Sequence, residues 1–164
     1  MIELLRRAPA AQTAIVTDDG EWTYGELVAR AESVANALLQ QGIGRFAVLD
    51  HDAATVVALL AGASLGGVEA CQFPPSASDD STELAGLAER FDERLLLCTH
   101  TRLTTKMDVL DPADLKGAEV TAPIDPPSMR PLLMLTTGTT GAPRGVRQDW
   151  NRVLRAVRRV QPAP

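Results

Sequence analysis

The residues with the most chemical content lie in one stretch, Leu135-Thr136-Thr137-Gly138-Thr139-Thr140-Gly141-Ala142-Pro143-Arg144-Gly145-Val146. Glycines at 138, 141 and 145 let backbone N–H groups approach an anion closely and permit positive φ angles. Successive amides in such a turn form a concave anion nest. Thr136, Thr137, Thr139 and Thr140 add hydroxyl donors. Arg144 adds a fixed positive charge whose fork matches phosphate oxygens. Such an assembly suits the outer phosphates of a nucleotide. It is not the Walker A pattern, because counting from Gly138 puts Pro143 where the second glycine belongs.

The whole string closely resembles the phosphate loop of the AMP-binding superfamily, which includes acyl-CoA synthetases, luciferases and the adenylation domains of peptide synthetases. The family pattern is Ser/Thr-rich, then Gly-Thr-Thr-Gly, two residues, and usually Pro-Lys-Gly-Val. Here the last four are Pro143-Arg144-Gly145-Val146. Arginine for lysine keeps the charge and changes its geometry and reach. Upstream, Trp22-Thr23-Tyr24-Gly25-Glu26-Leu27 resembles the family's opening segment, and Ala47–Asp50, the Ala/Leu helix to Gly66 and Val68–Pro74 follow in family order.

The resemblance implies an N-terminal α/β portion of an AMP-binding domain over residues 1–164, with its phosphate loop at 135–146. Its implied site residues are Thr136, Thr137, Gly138, Thr139, Thr140, Gly141, Arg144 and Gly145. The implied reaction couples a carboxylic acid to ATP with Mg²⁺, releasing pyrophosphate. A coenzyme A or carrier-protein thiol then takes the acyl group, as in acyl-CoA synthetases and fatty acid metabolism. The family's later motifs are a Tyr-Gly-x-Thr-Glu segment, a Thr-Gly-Asp segment and a C-terminal-domain lysine. Neither string occurs in these 164 residues, and the lysines, Lys106 and Lys116, both precede the loop. The expectation is an N-terminal fragment of a carboxylate-adenylating ligase, not competent alone and pairing with an absent C-terminal portion. A non-catalytic binding or regulatory module of the same ancestry, or an unrelated α/β domain with a chance loop, are the alternatives.

The elements that position the loop are legible from patterning. Ala14–Val16 and Glu21–Thr23 flank Asp18-Asp19-Gly20, a tight-turn signal. Thr23 and Glu26 have capping-box spacing, and Leu27, Ala31, Val34 and Leu38 follow at helical spacing, predicting a helix from Tyr24 to Gln41. Phe46–Leu49 reads as a buried strand. Asp50 or Asp52 can cap the next helix, which ends near Gly66-Gly67. Val68–Phe73 is another strand. The polar loop Ser76–Ser81 caps a helix through Phe91, Arg94–Thr99 is a strand, and 104–130 is irregular. Pro131–Leu135 is a strand feeding the loop. A last helix starts near Asp149 or Trp150, with Val153, Leu154, Val157 and Val160 opposite Arg152, Arg155, Arg158 and Arg159. Apolar strands alternating with helices predict an α/β fold with a mostly parallel sheet flanked by helices.

Two other motifs fail on context. Gly62-Ala63-Ser64-Leu65-Gly66 fits the hydrolase elbow G-x-S-x-G, yet it ends a helix and precedes a strand, the reverse of the elbow's order. Gly42-Ile43-Gly44-Arg45-Phe46-Ala47 fits a dinucleotide fingerprint, yet it follows a helix and opens a strand. His51 and His100 lack partners at metal-ligand spacing, and Asp79-Asp80 reads as a helix cap.

A formal net charge of -5 and 4% aromatic content argue against general nucleic-acid binding. No segment has the roughly 18 apolar residues of a membrane span, and no apolar leader is expected at the N-terminus. Cys71 and Cys98 read as isolated buried thiols, predicting a reducing, cytoplasmic setting.

Overall fold

The computed structural model describes residues 2–18, 20–99, 103–115, 132–136, 144–148 and 155. A short helix, α1 (Ile2–Leu5), precedes an antiparallel hairpin of β1 (Thr13–Thr17) and β2 (Gly20–Thr23). Then follow α2 (Tyr24–Gln40), β3 (Arg45–Val48), α3 (Ala53–Gly66), β4 (Glu69–Gln72), a 3₁₀ turn (Pro75–Ser78) and α4 (Ser81–Phe91). The chain continues through β5 (Leu95–Leu97), β6 (Asp108–Leu110), a second 3₁₀ turn (Pro112–Asp114), β7 (Leu132–Thr136) and β8 (Arg144–Gln148).

The main sheet has strand order β6-β5-β3-β4-β7-β8. Its first five strands are mutually parallel; β8 returns antiparallel to β7. Side chains alternate across a strand, so each strand feeds both faces. Phe46, Val48, Ala70, Leu97 and Leu132 pack with Val34, Leu38, Leu59 and Ala63 from α2 and α3. Ala47, Cys71, Leu96 and Leu133 pack on the other face with Leu84 and Leu87 from α4. The result is a three-layer α/β/α unit, as the sequence alternation predicts.

The helix starts have local causes. Thr23 and Glu26 form the expected capping box: the Glu26 N–H donates to Thr23 Oγ1 at 3.2 Å, and the Thr23 N–H donates to Glu26 Oε2 at 2.8 Å. Asp52, not Asp50, caps α3 by accepting from the Ala54 and Thr55 N–H groups. Asp80 caps α4 in the same way. The apparent nucleophile elbow lies inside α3, where Ser64 is buried. Gly62 has a packing reason: a Cβ there would stand 2.6 Å from Val34 Cγ1 and 2.8 Å from the Ala31 carbonyl oxygen, so α2 crosses α3 at backbone distance.

Four features differ from the sequence expectation. The segment 135–146 is not all loop, because Leu135 and Thr136 end β7 while Arg144, Gly145 and Val146 begin β8. Their apolar/polar pattern is too short to announce a strand, and only pairing to β7 makes them one. The stretch 104–130 holds a short strand, β6, and a 3₁₀ turn. Helix α1, too short for a periodicity signal, also went unseen. The hairpin strands extend to Thr13, Thr17 and Gly20. The last helix, apart from an exposed helical Arg155, lies outside the described residues, as do Asp19, His100 and residues 116–131.

Candidate functional site

Because β3, β4, β5 and β7 run the same way, the segments that follow them gather at one end of the sheet. In open α/β sheets that carboxyl end is where ligands bind. Here it collects Leu49–Asp52 after β3, Phe73–Pro75 after β4, Cys98-Thr99 after β5, and the end of β7 at Thr136 beside the start of β8 at Arg144.

Asp50 organises this end. It is only 6% exposed, and its carboxylate accepts the Asp52 N–H at 2.9 Å and the Thr99 N–H at 3.1 Å. One side chain thus shapes the β3–α3 turn and ties it to the end of β5. His51 Nε2 lies 3.3 Å from Ser78 Oγ, linking the same turn to the first 3₁₀ turn. Burial pushes the Asp52 carboxyl up, but the Thr55 hydroxyl and the Thr55 and Ala54 N–H groups together hold it below the ordinary carboxylate value. A cleft of about 310 Å³ opens beside the end of β7, lined by Phe73, Pro74, Pro75, Glu83, Met134 and Leu135.

The eight predicted site residues divide in two. Thr136 pairs with Arg144 across the β7–β8 ladder, so both backbones stand where the loop departs. Arg144 is exposed there. Gly145 also lies on β8, opposite Leu135. A Cβ on Gly145 would meet Phe91 Cε1 at 2.7 Å and Leu133 Cδ1 at 2.9 Å. Its side-chain-free face is therefore explained by close packing against the end of α4, a reason the sequence pattern did not give. Thr137, Gly138, Thr139, Thr140 and Gly141 lie outside the described residues, as does the Thr136 side chain.

Sequence reasoning read Asp50 only as a cap candidate and missed its brace to Thr99. The available signal was an acid directly after an apolar strand. It also missed the ion cluster at the opposite, amino end of the strands. There Arg45 Nε donates to Glu93 Oε1 at 2.9 Å and lies 3.2 Å from Glu69 Oε1. The Arg45 guanidinium also donates to the Phe91 carbonyl. Glu69 Oε2 lies 3.4 Å from Arg147 Nη1. Burial is the main cause raising the Glu93 carboxyl above its ordinary value; neighbouring Arg45 only partly offsets it.

Cys71 and Cys98 are both buried, and neither is in a disulfide, as expected. Burial pushes the Cys71 thiol up to about 12, so it is an inert core group rather than a nucleophile. Among the described residues no group of three His, Cys, Asp or Glu side chains is placed to hold a metal. None of the described helices is long and apolar enough to cross a membrane.

Comparison with known proteins agrees with this arrangement. The chain is 32% identical over 180 aligned positions to phosphinothricin tripeptide synthetase PhsB of Streptomyces viridochromogenes, covering 96% of this chain and 15% of that protein. It is 29% identical over 156 positions to tyrocidine synthase 2 of Brevibacillus parabrevis, covering 88% of this chain and 4% of that one. The fold matches o-succinylbenzoate CoA synthetase (MenE) of Bacillus subtilis in a product-analogue complex, with a TM-score of 0.75 and 22% identity over 99% of this chain and 36% of that one. MenE crystallised with ATP and magnesium matches at TM-score 0.71 and 22% identity, over 95% of this chain and 45% of that one. The chain therefore spans a small part of its curated relatives and less than half of these structural ones. The family model for AMP-binding enzymes matches residues 3–163, so the chain belongs to the AMP-binding enzyme family and is homologous to the N-terminal part of adenylating ligases.

Proposed function

We propose that these residues form the ATP phosphate-binding portion of an ATP-dependent carboxylate-adenylating ligase. What supports this reading is the described backbone on either side of 137–143: β7 ends at Thr136 and β8 begins at its ladder partner Arg144, at the carboxyl end of the parallel strands. In the proposed reaction a carboxylate oxygen attacks the α-phosphorus of ATP. The bond to the β-phosphate breaks, and pyrophosphate leaves as the acyl-adenylate forms. Charge then grows on the departing phosphates, where fixed donors are most effective.

On this reading Arg144 places its guanidinium on the outer phosphate oxygens, and the Thr136, Thr137, Thr139 and Thr140 hydroxyls donate to them. The amides of Gly138 and Gly141 complete the nest. Gly145 serves the site indirectly, by letting β8 lie close to Phe91. Mg²⁺ would arrive with the phosphates and neutralise part of their charge. In the proposed ligase the acyl group then passes to a thiol acceptor, coenzyme A or a carrier protein. The substrate is left at a carboxylic acid; the relatives named above do not point specifically to fatty acid metabolism.

The test is a titration of Mg·ATP into the purified chain and into Arg144→Ala, followed by ligand-observed NMR. Binding that weakens about tenfold in the variant, the loss of a charge-assisted contact, supports the reading. A folded chain that binds no Mg·ATP supports the second reading, a non-catalytic module that kept the fold.

A further inference from the structure

Strand β8 carries Arg144, yet little of it is buried: Arg144, Gly145, Val146 and Arg147 are all exposed. Among the described strands it bonds only to β7, at the end of the sheet. An edge strand with so little apolar cover needs other anchors to hold its register. Two exist, and both lead to the same residue.

The first anchor is Gly145. With no Cβ, it lets the strand sit against the Phe91 ring and Leu133. The second is Arg147, two residues on and so on the same face. Its Nη1 reaches Glu69 Oε2 at 3.4 Å, across the start of β7. Glu69 is held in turn by Arg45 at 3.2 Å, and the Arg45 guanidinium also binds the carbonyl of Phe91. The ring of Phe91 therefore seats β8, and its carbonyl is fixed by the ion chain that ends on β8. The circuit closes on the α4-facing side of the sheet, where Cys71, Leu133 and Phe91 belong to one core cluster. By alternation Arg144 and Val146 point to the opposite side. That side is open: Met134 and Val146, cross-strand partners, are 41% and 38% exposed.

We propose that Arg147 is a positioning residue: anchored on Glu69, it holds the register and tilt of β8 so that Arg144, on the strand's other face, meets the nucleotide phosphates. The inference rests on the phosphate-binding reading above and names the device that aims its charged residue. Arg147 itself stands at the far end of the strand from the loop and touches no phosphate.

The experiment compares the intact chain with Arg147→Gln, Arg147→Lys and Glu69→Gln, using Mg·ATP as the probe and amide hydrogen exchange of β8 as an independent readout. All measurements are made well below each variant's Tm. Arg147→Gln and Glu69→Gln should each speed exchange of the β8 amides bonded to β7 and weaken Mg·ATP about two- to fivefold, the loss of one partly exposed ion pair. Arg147→Lys should restore both. The two glutamine variants change net charge in opposite directions, so a purely long-range field would make Glu69→Gln bind more tightly; that result overturns the proposal. So does unchanged β8 exchange in Arg147→Gln, or faster exchange with unchanged affinity. If the intact chain binds no Mg·ATP while β8 exchange responds as described, the phosphate-binding reading fails and the anchor on Glu69 stands as a strand brace alone.

Discussion

The two ends of the parallel sheet are built on opposite terms. At the carboxyl end, carboxylates satisfy backbone N–H groups: Asp50 takes those of Asp52 and Thr99, Asp52 those of Ala54 and Thr55, and Asp80 those of Thr82 and Glu83. At the amino end, carboxylates meet guanidinium groups: Glu93 and Glu69 share Arg45, and Glu69 also holds Arg147. The first solution fixes turns locally and leaves a cleft open beside β7. The second ties strands β3, β4 and β8 to the end of α4; a cleft of about 500 Å³ lies beside it, lined by Glu93, Arg94 and Asp108.

The largest expected effect that tests this contrast is at Glu93. It is 5% exposed and shares Arg45 with Glu69, so Glu93→Ala strips a half-buried guanidinium of its best-placed partner. Removing one member of such a pair should destabilise the fold by about 3 kcal/mol, measured by urea denaturation. Next is Asp50→Ala, which leaves the Thr99 and Asp52 N–H groups without their acceptor. About 2 kcal/mol is expected, together with faster exchange at Thr99. A loss below that of Asp52→Ala would break the claim that Asp50 organises the end. Asp52→Ala removes only a helix cap and should cost about 1 kcal/mol.

The smallest effect is the most diagnostic, because the two ends should respond to pH with opposite sign. Glu93 is raised above its ordinary value of 4.5. The folded state then holds that proton more tightly than the unfolded chain, so stability falls as pH rises from about 4.5 through the raised value. Asp52 is lowered from 3.8, so its contribution is present above that pH and is lost as pH falls toward the lowered value. Stability measured from pH 3 to 8 should lose its upper slope in Glu93→Gln and part of its lower slope in Asp52→Asn. If Glu93→Gln keeps the upper slope, the buried carboxyl is not its source.

Much of the carboxyl end was legible because its causes are local. The Thr23–Glu26 capping box, the Asp80 cap and the apolar runs of β3, β4 and β5 are each written within a few neighbouring residues. The α/β class follows from that alternation. The choice of Asp52 over Asp50 as the α3 cap was not legible, since both precede the helix. Only the arrival of β5 beside β3 gives Asp50 a different partner, the Thr99 N–H.

The amino end was almost wholly invisible. Arg45, Glu69, Glu93 and Arg147 are separated by 24 or more positions, and no spacing rule joins them. Gly145 shows the same limit in one residue. Its place in a threonine- and glycine-rich motif suggested backbone freedom for an anion, and the fold adds a packing constraint from Phe91, a residue on another helix. By itself the sequence determined helices α2, α3 and α4, the buried strands β3, β4 and β5, their mostly parallel class and the family, because caps, periodicity and a contiguous motif act through near neighbours. Only the tertiary structure decided which end of the sheet is built on capped backbone N–H groups, which on ion pairs, and that Arg144 and Gly145 belong to a strand. Those properties depend on which strands become neighbours, and that is set by packing the whole sheet between its two helical layers.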